Sequence, residues 1–343
     1  MEKILRVGIL GCANIAAKYA IAAFKSLPNV ELVAIASRDQ DKAKAWGEKY
    51  ALQPESYKSL IAHNDIDIIY SPLPVGEQEE WVIKAMEAGK HVICEKSITY
   101  SFASVQKMVA ASEKNGVALY ENFVPDFHPQ HKQILALIKE GKIGTPHVFR
   151  GAYGFPSFPD GDIRLQKELK GGALNDAGCY TVFMARKILG AEPVAVTCVL
   201  SSEGQEVDME GSALLEFPKA TAEVAFGFNH LYQNNYSVWG SKGVVRTDRA
   251  YAIPPDLPPP VELITNDGAK ETKAQLNIPA ANQFQLSFEY FCNAVQQGDT
   301  KEIASMRTHI LAQAKVLEAM RISAREHRRV EISQRSTIRT QGR

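Results

Sequence analysis

Between Arg6 and Asn122 the chain alternates short β-branched runs with helical patterns, and no other feature restricts its fold as strongly. RVGIL, ELVAIAS, DIDIIY, KHVICEK and GVALYEN are each of strand length. Between them, NIAAKYAIAAF, DQDKAKAWGEKY, EQEEWVIKAMEAG and SFASVQKMVAASEKNG repeat their apolar residues at helical spacing. A strand that returns through a helix enters its sheet parallel to the last one, and right-handed crossovers put helices on both faces. Residues 1–122 are therefore expected to form a doubly wound α/β domain, which offers a nucleotide site at the carboxyl ends of its strands. Asp39 and Ser101 are placed to cap helices, and Gly89 and Gly116 to end them in the left-handed conformation.

The stretch GILGCANIA joins the first strand to the first helix, where backbone N–H groups and the helix dipole can meet a pyrophosphate. Gly11 makes the tight turn, Cys12 and Ala13 follow, and Asn14 and Ile15 begin the helix. Ala13 and Ala16 stand where the GxGxxG pattern has its later glycines, so the turn fits a dinucleotide and equally fits a strand–helix turn without a ligand. The second strand ends in Ser37 and Arg38, where an NAD enzyme carries an acidic residue for the ribose 2′-hydroxyl. A hydroxyl and a guanidinium suit a 2′-phosphate, which favours NADP over NAD. The structural alternative is that Ser37 caps the next helix and Arg38 is solvated.

After residue 122 the rhythm changes, and residues 123–333 are expected to form a second, α+β domain with a large, mostly antiparallel open sheet. HPQHKQILALIKEGKIG reads as a helix, TPHVFRGAYGF as a strand and GGALNDAGCYTVFMARKILG as a helix. EPVAVTCVL, GSALLEF, ATAEVAFGF, NYSVWG and GVVRTDRAY then read as strands without helices between them. A sheet covered on one face needs a partner for the other, so a homo-oligomer, dimer or tetramer, is expected. AIPPDLPPPVE is too proline-rich for a central strand and is expected to be a surface loop. NQFQLSFEYFCNAVQQG and SMRTHILAQAKVLEAMRIS read as late helices able to pack back on the first domain, and REHRRVEISQRSTIRTQGR as partly frayed.

Charge narrows the choice of partner: 39 basic and 39 acidic residues cancel without a long like-charge run, which gives no footprint for nucleic acid or an anionic membrane. A small molecule is the expected partner. MEKILRVGIL has too short an apolar run for a signal peptide, and five cysteines without a CxxC pair suit reduced thiols, so a cytoplasmic location is expected.

Three residues carry candidate chemistry. Glu95 and Lys96 fall at the carboxyl end of the strand beginning near His91, the edge where a nicotinamide would lie. An ammonium there stabilises the oxyanion left by hydride transfer to a ketone and helps deliver a proton if nearby cations lower its pKa. The bland alternative is a solvated lysine. Asp176 and Tyr180, four apart, share a helix face; Tyr180 can donate a proton if a cation such as Lys96 lowers its phenol from about 10. Their alternative is a packing aromatic and a capping aspartate. His128 and His131 are three apart but lack a third ligand at recognisable spacing, so no metal is expected, and His128 is read as a helix cap or a wall of the sugar pocket.

AGKHVICEKS, with the GCANIA turn, the ASRD strand end, GKIG and GGALNDAGCY, resembles the glucose-fructose oxidoreductase, inositol dehydrogenase and MocA family over nearly the whole chain. The resemblance implies a Rossmann domain and a catalytic or substrate-orienting role for Lys96, with Asp176 and Tyr180 matching the family's Asp-x-x-x-His pair. Tyrosine in place of histidine, with ENFVPDFHPQH, GDIRLQKELKGGAL and LYQNNYSVWGSKGVVRTDRAYAIPP, is similar to the branch that reduces nucleotide-linked 3-ketosugars with NADPH. In that branch Leu73 and Pro74 would meet the cofactor. Tyr232, Asn234 and Tyr236, which strand alternation puts on one face, would meet base and phosphate, with Arg164 and Arg249 facing a diphosphate. Packing is the alternative for all five. Two departures, Ser97 for the family's proline and Gln78 for the branch's histidine, imply a differently aimed lysine and an altered cofactor contact. They keep open a catalytically idle NADP-binding sensor, and a free-sugar, cyclitol or diol dehydrogenase is the alternative in which the YQNNY and RAYAIPP segments are incidental.

Overall fold

The computed structural model describes residues 3–333 except 203, 267 and 269. Among these, the first sheet runs β1 (Leu5–Leu10), β2 (Val30–Ala36), β3 (Gln53–Glu55), β4 (Ile68–Ser71), β5 (His91–Glu95) and β6 (Leu119–Asn122) in chain order. Its spatial order is β3-β2-β1-β4-β5-β6, with every pair parallel. The order reverses beside β1 and β4, which opens the crevice of a doubly wound sheet at their carboxyl ends. The crossovers are α1 (Ile21–Lys25), continuing a π turn at Ala16–Ala20, then α2 (Gln40–Tyr50), α3 (Tyr57–Ala62), α4 (Val75–Glu87) and α5 (Phe102–Lys114). Asp39 Oδ1 accepts from the N–H groups of Asp41 and Lys42, and Ser101 Oγ from that of Ser104, as their capping positions require.

The second domain holds α6 (Pro129–Lys139), β7 (Pro146–Gly154) and α7 (Cys179–Leu189), the last entered through a π turn at Leu174–Gly178. Then come β8 (Ala195–Ser201), β9 (Glu210–Glu216), β10 (Thr221–Gly227), β11 (Gln233–Gly240), β12 (Gly243–Thr247), β13 (Val261–Asn266) and β14 (Glu271–Leu276). Helices α8 (Gln283–Gln297) and α9 (Thr300–Glu326) and the short β15 (Val330–Glu331) complete the described chain. The sheet order is β14-β13-β12-β11-β7-β10-β9-β8-β15; β7 and β10 pair in parallel and the other neighbours antiparallel.

Of the late helices, α8 packs on the first domain and α9 joins the two. On α8, Phe284, Phe288 and Phe291 belong to the core under β1 and β4, where Phe288 stacks on Phe24 at 4.0 Å. On α9, Met306 enters that same core, whereas Val316, Leu317 and Met320 enter the core of the second domain. Among the described residues no helix is long and apolar enough to cross a membrane.

Two expectations need correction. AIPPDLPPPVE is irregular as far as Pro260, but it does not simply cover the surface: Ile253 is buried, and Ala252, Ile253 and Pro254 border the cleft described below. Of the C-terminal segment read as frayed, α9 persists to Glu326 and Val330 and Glu331 pair with β8, because Val330 has a core to enter. Residues 334–343 of that segment lie outside the described residues.

Candidate active site

A cleft of about 570 Å³ lies between the carboxyl edge of the first sheet and the helix-covered face of the second. Both π turns border it, one carrying Tyr19 and the other Asp176. β5 delivers Glu95 to its floor, where the Glu95 carboxylate accepts from the Tyr70 hydroxyl at 2.9 Å and from Asn122 Nδ2 at 2.7 Å. The next peptide bond, Lys96–Ser97, is cis. Ser97 Oγ donates to the Asn175 carbonyl at 3.0 Å and the Ile98 N–H to Glu121 Oε1 at 2.8 Å, so the turn is tied to both domains.

Lys96 crosses from this turn to the second domain. Its Nζ donates to Asp176 Oδ1 at 2.7 Å and to the Asp176 carbonyl at 2.9 Å. Arg164 Nε occupies the other carboxylate oxygen at 2.9 Å, so Asp176 lies between two cations. Tyr180, one turn further on, lies with its ring centroid 4.8 Å from Lys96 Nζ and edge-on to Tyr153 at 5.4 Å. The proline replaced by Ser97 therefore does not turn Lys96 away from Asp176.

Electrostatics follow from this arrangement. Burial pushes the Asp176 carboxyl up, but Lys96 and Arg164 outweigh it and hold it at about 2. Burial pulls the Lys96 ammonium down, yet Asp176 carries it above the ordinary lysine value. The expected fall toward neutrality is thus overturned, because the nearest charge is an anion rather than a cation. Tyr180 is also corrected: burial, reinforced by Glu95, Cys179 and Asp176, drives its phenol well above 10. Lys96 stays charged and Tyr180 stays protonated through the neutral range.

The remaining expected site residues separate into three groups. Asn14, Ile15, Leu73, Pro74, Tyr232 and Arg249 line the cleft with the residues above. Gly11, Cys12 and Ala13 form the turn behind that wall. Gly11 has φ +126°, and a Cβ there would come within 3.0 Å of Leu73 Cδ2, so the turn needs glycine. Ser37 is buried, with its Oγ accepting from the Asp39 N–H, and the cap of α2 is Asp39 rather than Ser37. Arg38 is exposed at the edge of the crevice, paired with Glu77 at 2.7 Å.

Three residues assigned to substrate do not line the cleft. Tyr236 shares a strand face with Tyr232, but four residues of extended chain carry it away, under α6, where its hydroxyl meets His131 Nδ1 at 2.8 Å. Asn234 is a bracket: its amide donates to the Tyr232 hydroxyl at 3.0 Å and to the Ala252 carbonyl at 2.8 Å, and accepts from the Tyr251 N–H. His128 is 1% exposed and caps α6 through Nδ1, which accepts from the Gln130 N–H. Arg164 faces the cleft, but Asp176 and Asp162 engage its guanidinium, leaving less of it for a diphosphate than expected. Gln78 is buried under the loop, donating to the Leu73 carbonyl at 2.9 Å and accepting from the Cys94 thiol, so it braces the Leu73–Pro74 wall of the cleft instead of facing it.

Sequence reasoning missed Tyr153, Phe155, Phe158 and Tyr251 on the second-domain wall and Gln283 on the first. Strand alternation could have put Tyr153 on the face of Gly151 and Phe149; Gln283 gave no local signal.

Two family models match the chain: "Oxidoreductase family, NAD-binding Rossmann fold" over residues 5–123 and "GFO/IDH/MocA C-terminal domain" over residues 131–246. The dTDP-3,4-didehydro-2,6-dideoxy-alpha-D-glucose 3-reductase of Actinomadura kijaniata is 37% identical, covering 94% of this chain and 96% of its own length. The protein of the same name from Saccharopolyspora spinosa is 34% identical, covering 93% and 97%. A solved 3-ketoreductase from Actinomadura kijaniata, in complex with NADP and TDP-benzene, superposes with a TM-score of 0.88 at 36% identity, over 93% of this chain and 97% of that one.

Proposed function

The chain belongs to the GFO/IDH/MocA oxidoreductase family, and from that premise we propose that it uses NADPH to reduce the 3-keto group of a nucleotide-linked hexose, a dTDP-sugar. The observation that carries this reading is one juxtaposition: the Lys96 ammonium, held by Asp176 at 2.7 Å, beside the Tyr180 phenol at the carboxyl edge of a doubly wound sheet. Relatives named as 3-reductases of a dTDP-sugar support the substrate class.

The residues present fit the cofactor. Gly11 keeps the turn low, and the N–H groups of Asn14 and Ile15, which open the helix, have no acceptor within it and can take a pyrophosphate. Ser37 and Arg38 directly follow β2, and the nearest acidic side chain, Asp39, is engaged as the cap of α2, which supports a 2′-phosphate. When bound, NADPH supplies a hydride to the carbonyl carbon.

The chain's own groups manage the oxygen. Lys96 has three N–H bonds, of which Asp176 takes two, leaving one for the carbonyl oxygen. That donor polarises the ketone and stabilises the alkoxide as charge develops. Tyr180 gives the alkoxide its proton. A sugar alkoxide is a stronger base than an ordinary phenolate, and burial of Tyr180 narrows that difference. The phenolate left by reduction is the same species that oxidation would need, so its burial favours neither direction, and it takes a proton from solvent between turnovers.

Arg249 makes no ion pair among the described residues and lies 5.6 Å over the Tyr232 ring, with Phe155 and Phe158 on the same wall. A cation beside aromatic faces suits a nucleoside diphosphate. The outer face of the second sheet, with Val199, Leu214 and Trp239 exposed, supports a homo-oligomer, and the five buried cysteines without disulfides support a reducing compartment, the cytoplasm.

Consumption of NADPH tests the reading. A dTDP-linked 3-ketohexose should be reduced, while free aldoses and cyclitols should support little turnover. Faster turnover of the free sugars would replace this substrate class, and no turnover with any of them would favour an idle sensor.

A further inference from the structure

Gln283 is the first residue of α8, directly after its Asn282 cap, and is only 5% exposed. Its Oε1 is shielded from solvent and, among the described residues, has no hydrogen-bond partner. A buried amide oxygen without a donor is costly, and native proteins nearly always satisfy one. Here the side chain belongs to the cleft wall, with Asn14, Tyr19, Glu95 and Val124. The missing partner is therefore sought in a ligand.

The start of α8 is fixed from two sides. Phe284 stacks on Tyr19 at 4.9 Å and 8°, which holds it to the first helix, and Ser287 Oγ donates to Asn122 Oδ1 at 2.7 Å, which holds it to the end of β6. Gln283 thus lies on the β5–β6 side of the crevice, across the switch point from Ser37 and Arg38 at the end of β2. A dinucleotide with its 2′-phosphate at Arg38 extends its nicotinamide half toward Gln283.

We propose that Gln283 is a cofactor-recognition residue whose side-chain amide pairs with the carboxamide of the nicotinamide ring. This rests on the NADP reading above. A pyrophosphate offers only acceptors and cannot satisfy Oε1. A carboxamide N–H can donate to Oε1, which a carbonyl alone cannot do. A ring held by its carboxamide cannot turn over about its glycosidic bond, which fixes the face it presents to the carbonyl beside Lys96 and Tyr180.

Calorimetric titration of the full chain tests this with three ligands: NADP, its 3-acetylpyridine analogue, which lacks the carboxamide N–H groups, and adenosine 2′,5′-bisphosphate, which lacks the ring. The wild type should bind NADP about tenfold more tightly than the acetylpyridine analogue, the value of one buried hydrogen bond, and Gln283→Leu should abolish that preference. Adenosine 2′,5′-bisphosphate should bind both proteins equally, which also reports that the variant is folded. Equal affinity of the wild type for NADP and the analogue overturns the proposal without any variant. So does a preference that survives in Gln283→Leu, as for a pairing made by another residue or by a substrate hydroxyl. Weakened bisphosphate binding in the variant would make Gln283 structural and overturns it too. Failure of the wild type to bind NADP or the bisphosphate would instead sink the cofactor reading itself.

Discussion

Asp176 sets the protonation state of the site, because its carboxylate is the anion that both Lys96 and Arg164 reach. Its depressed pKa contributes stability above the ordinary 3.8, lost as pH falls through about 2, well outside the neutral range. Glu121 titrates closer to neutrality. Burial raises its carboxyl from 4.5 to about 7, and it receives the Ile98 N–H two residues beyond Lys96. The folded state therefore binds an extra proton between those two values, and stability falls as pH rises through that window. Glu121→Gln, which can still accept from Ile98, should flatten that slope, so that melting temperatures at pH 5 and pH 8 differ by less than in the wild type. An unchanged difference would mean that Glu121 does not titrate there. A strand end and a spacing of four are local facts that singled out Lys96, Asp176 and Tyr180, but they equally allowed a solvated lysine, a cap and a packing aromatic, and the family resemblance rather than the spacing favoured a catalytic role. The pKa directions were not: the expectation of a lowered lysine assumed neighbouring cations, and only the fold shows that an aspartate from the other domain comes first. The substrate reading of Tyr236, and the pocket-wall alternative for His128 whose capping alternative the structure shows, misled for a related reason, since a strand face or a helix start gives a direction but not what lies opposite it.

At the scale of elements, β-branched runs marked five of the six parallel strands to within about three residues at their ends, and capping side chains marked the starts of α2 and α5. The short β3 and α3, within LQPESYKSLIA, carry no apolar run, and the β13–β14 hairpin is largely exposed, so neither gave a signal. The π turns were equally unreadable, because an extra residue in a helical turn leaves no compositional trace, yet both border the cleft. Gly11 is where element geometry and the proposed cofactor meet. Gly11→Ala puts a Cβ within 3.0 Å of Leu73 Cδ2 at a φ of +126°, and should cost about 1–3 kcal/mol of stability. It should also weaken NADPH binding, since relief of the clash moves the turn or the Leu73 wall. Denaturant melts and a fluorescence titration check both; a variant as stable and as tight as the wild type would show that the turn tolerates a side chain.

The whole molecule explains why the site needs both domains. Helix α8 enters the core of the first half and α9 the cores of both, and Lys96 reaches across to Asp176, so the cleft is built at a junction that the late part of the chain closes. On the outer face of the second sheet, Val199 and Leu214 are exposed on the adjacent β8 and β9, Leu214 at 42%, and Trp239, at 50%, lies across β10 and β7 from them. Leu214→Arg should split the proposed homo-oligomer in light scattering without unfolding the chain, and a wild type that is already monomeric would remove that reading. The central claim is that an ammonium from one domain and a phenol from the other act on a single substrate oxygen. A double-mutant cycle on NADPH-dependent reduction, comparing Lys96→Ala, Tyr180→Phe and the double variant, tests it most directly. Each single change should lower kcat about a hundredfold, and the double little more than the worse single, because either loss disables the same oxygen. Turnover left intact in either single variant would contradict the account.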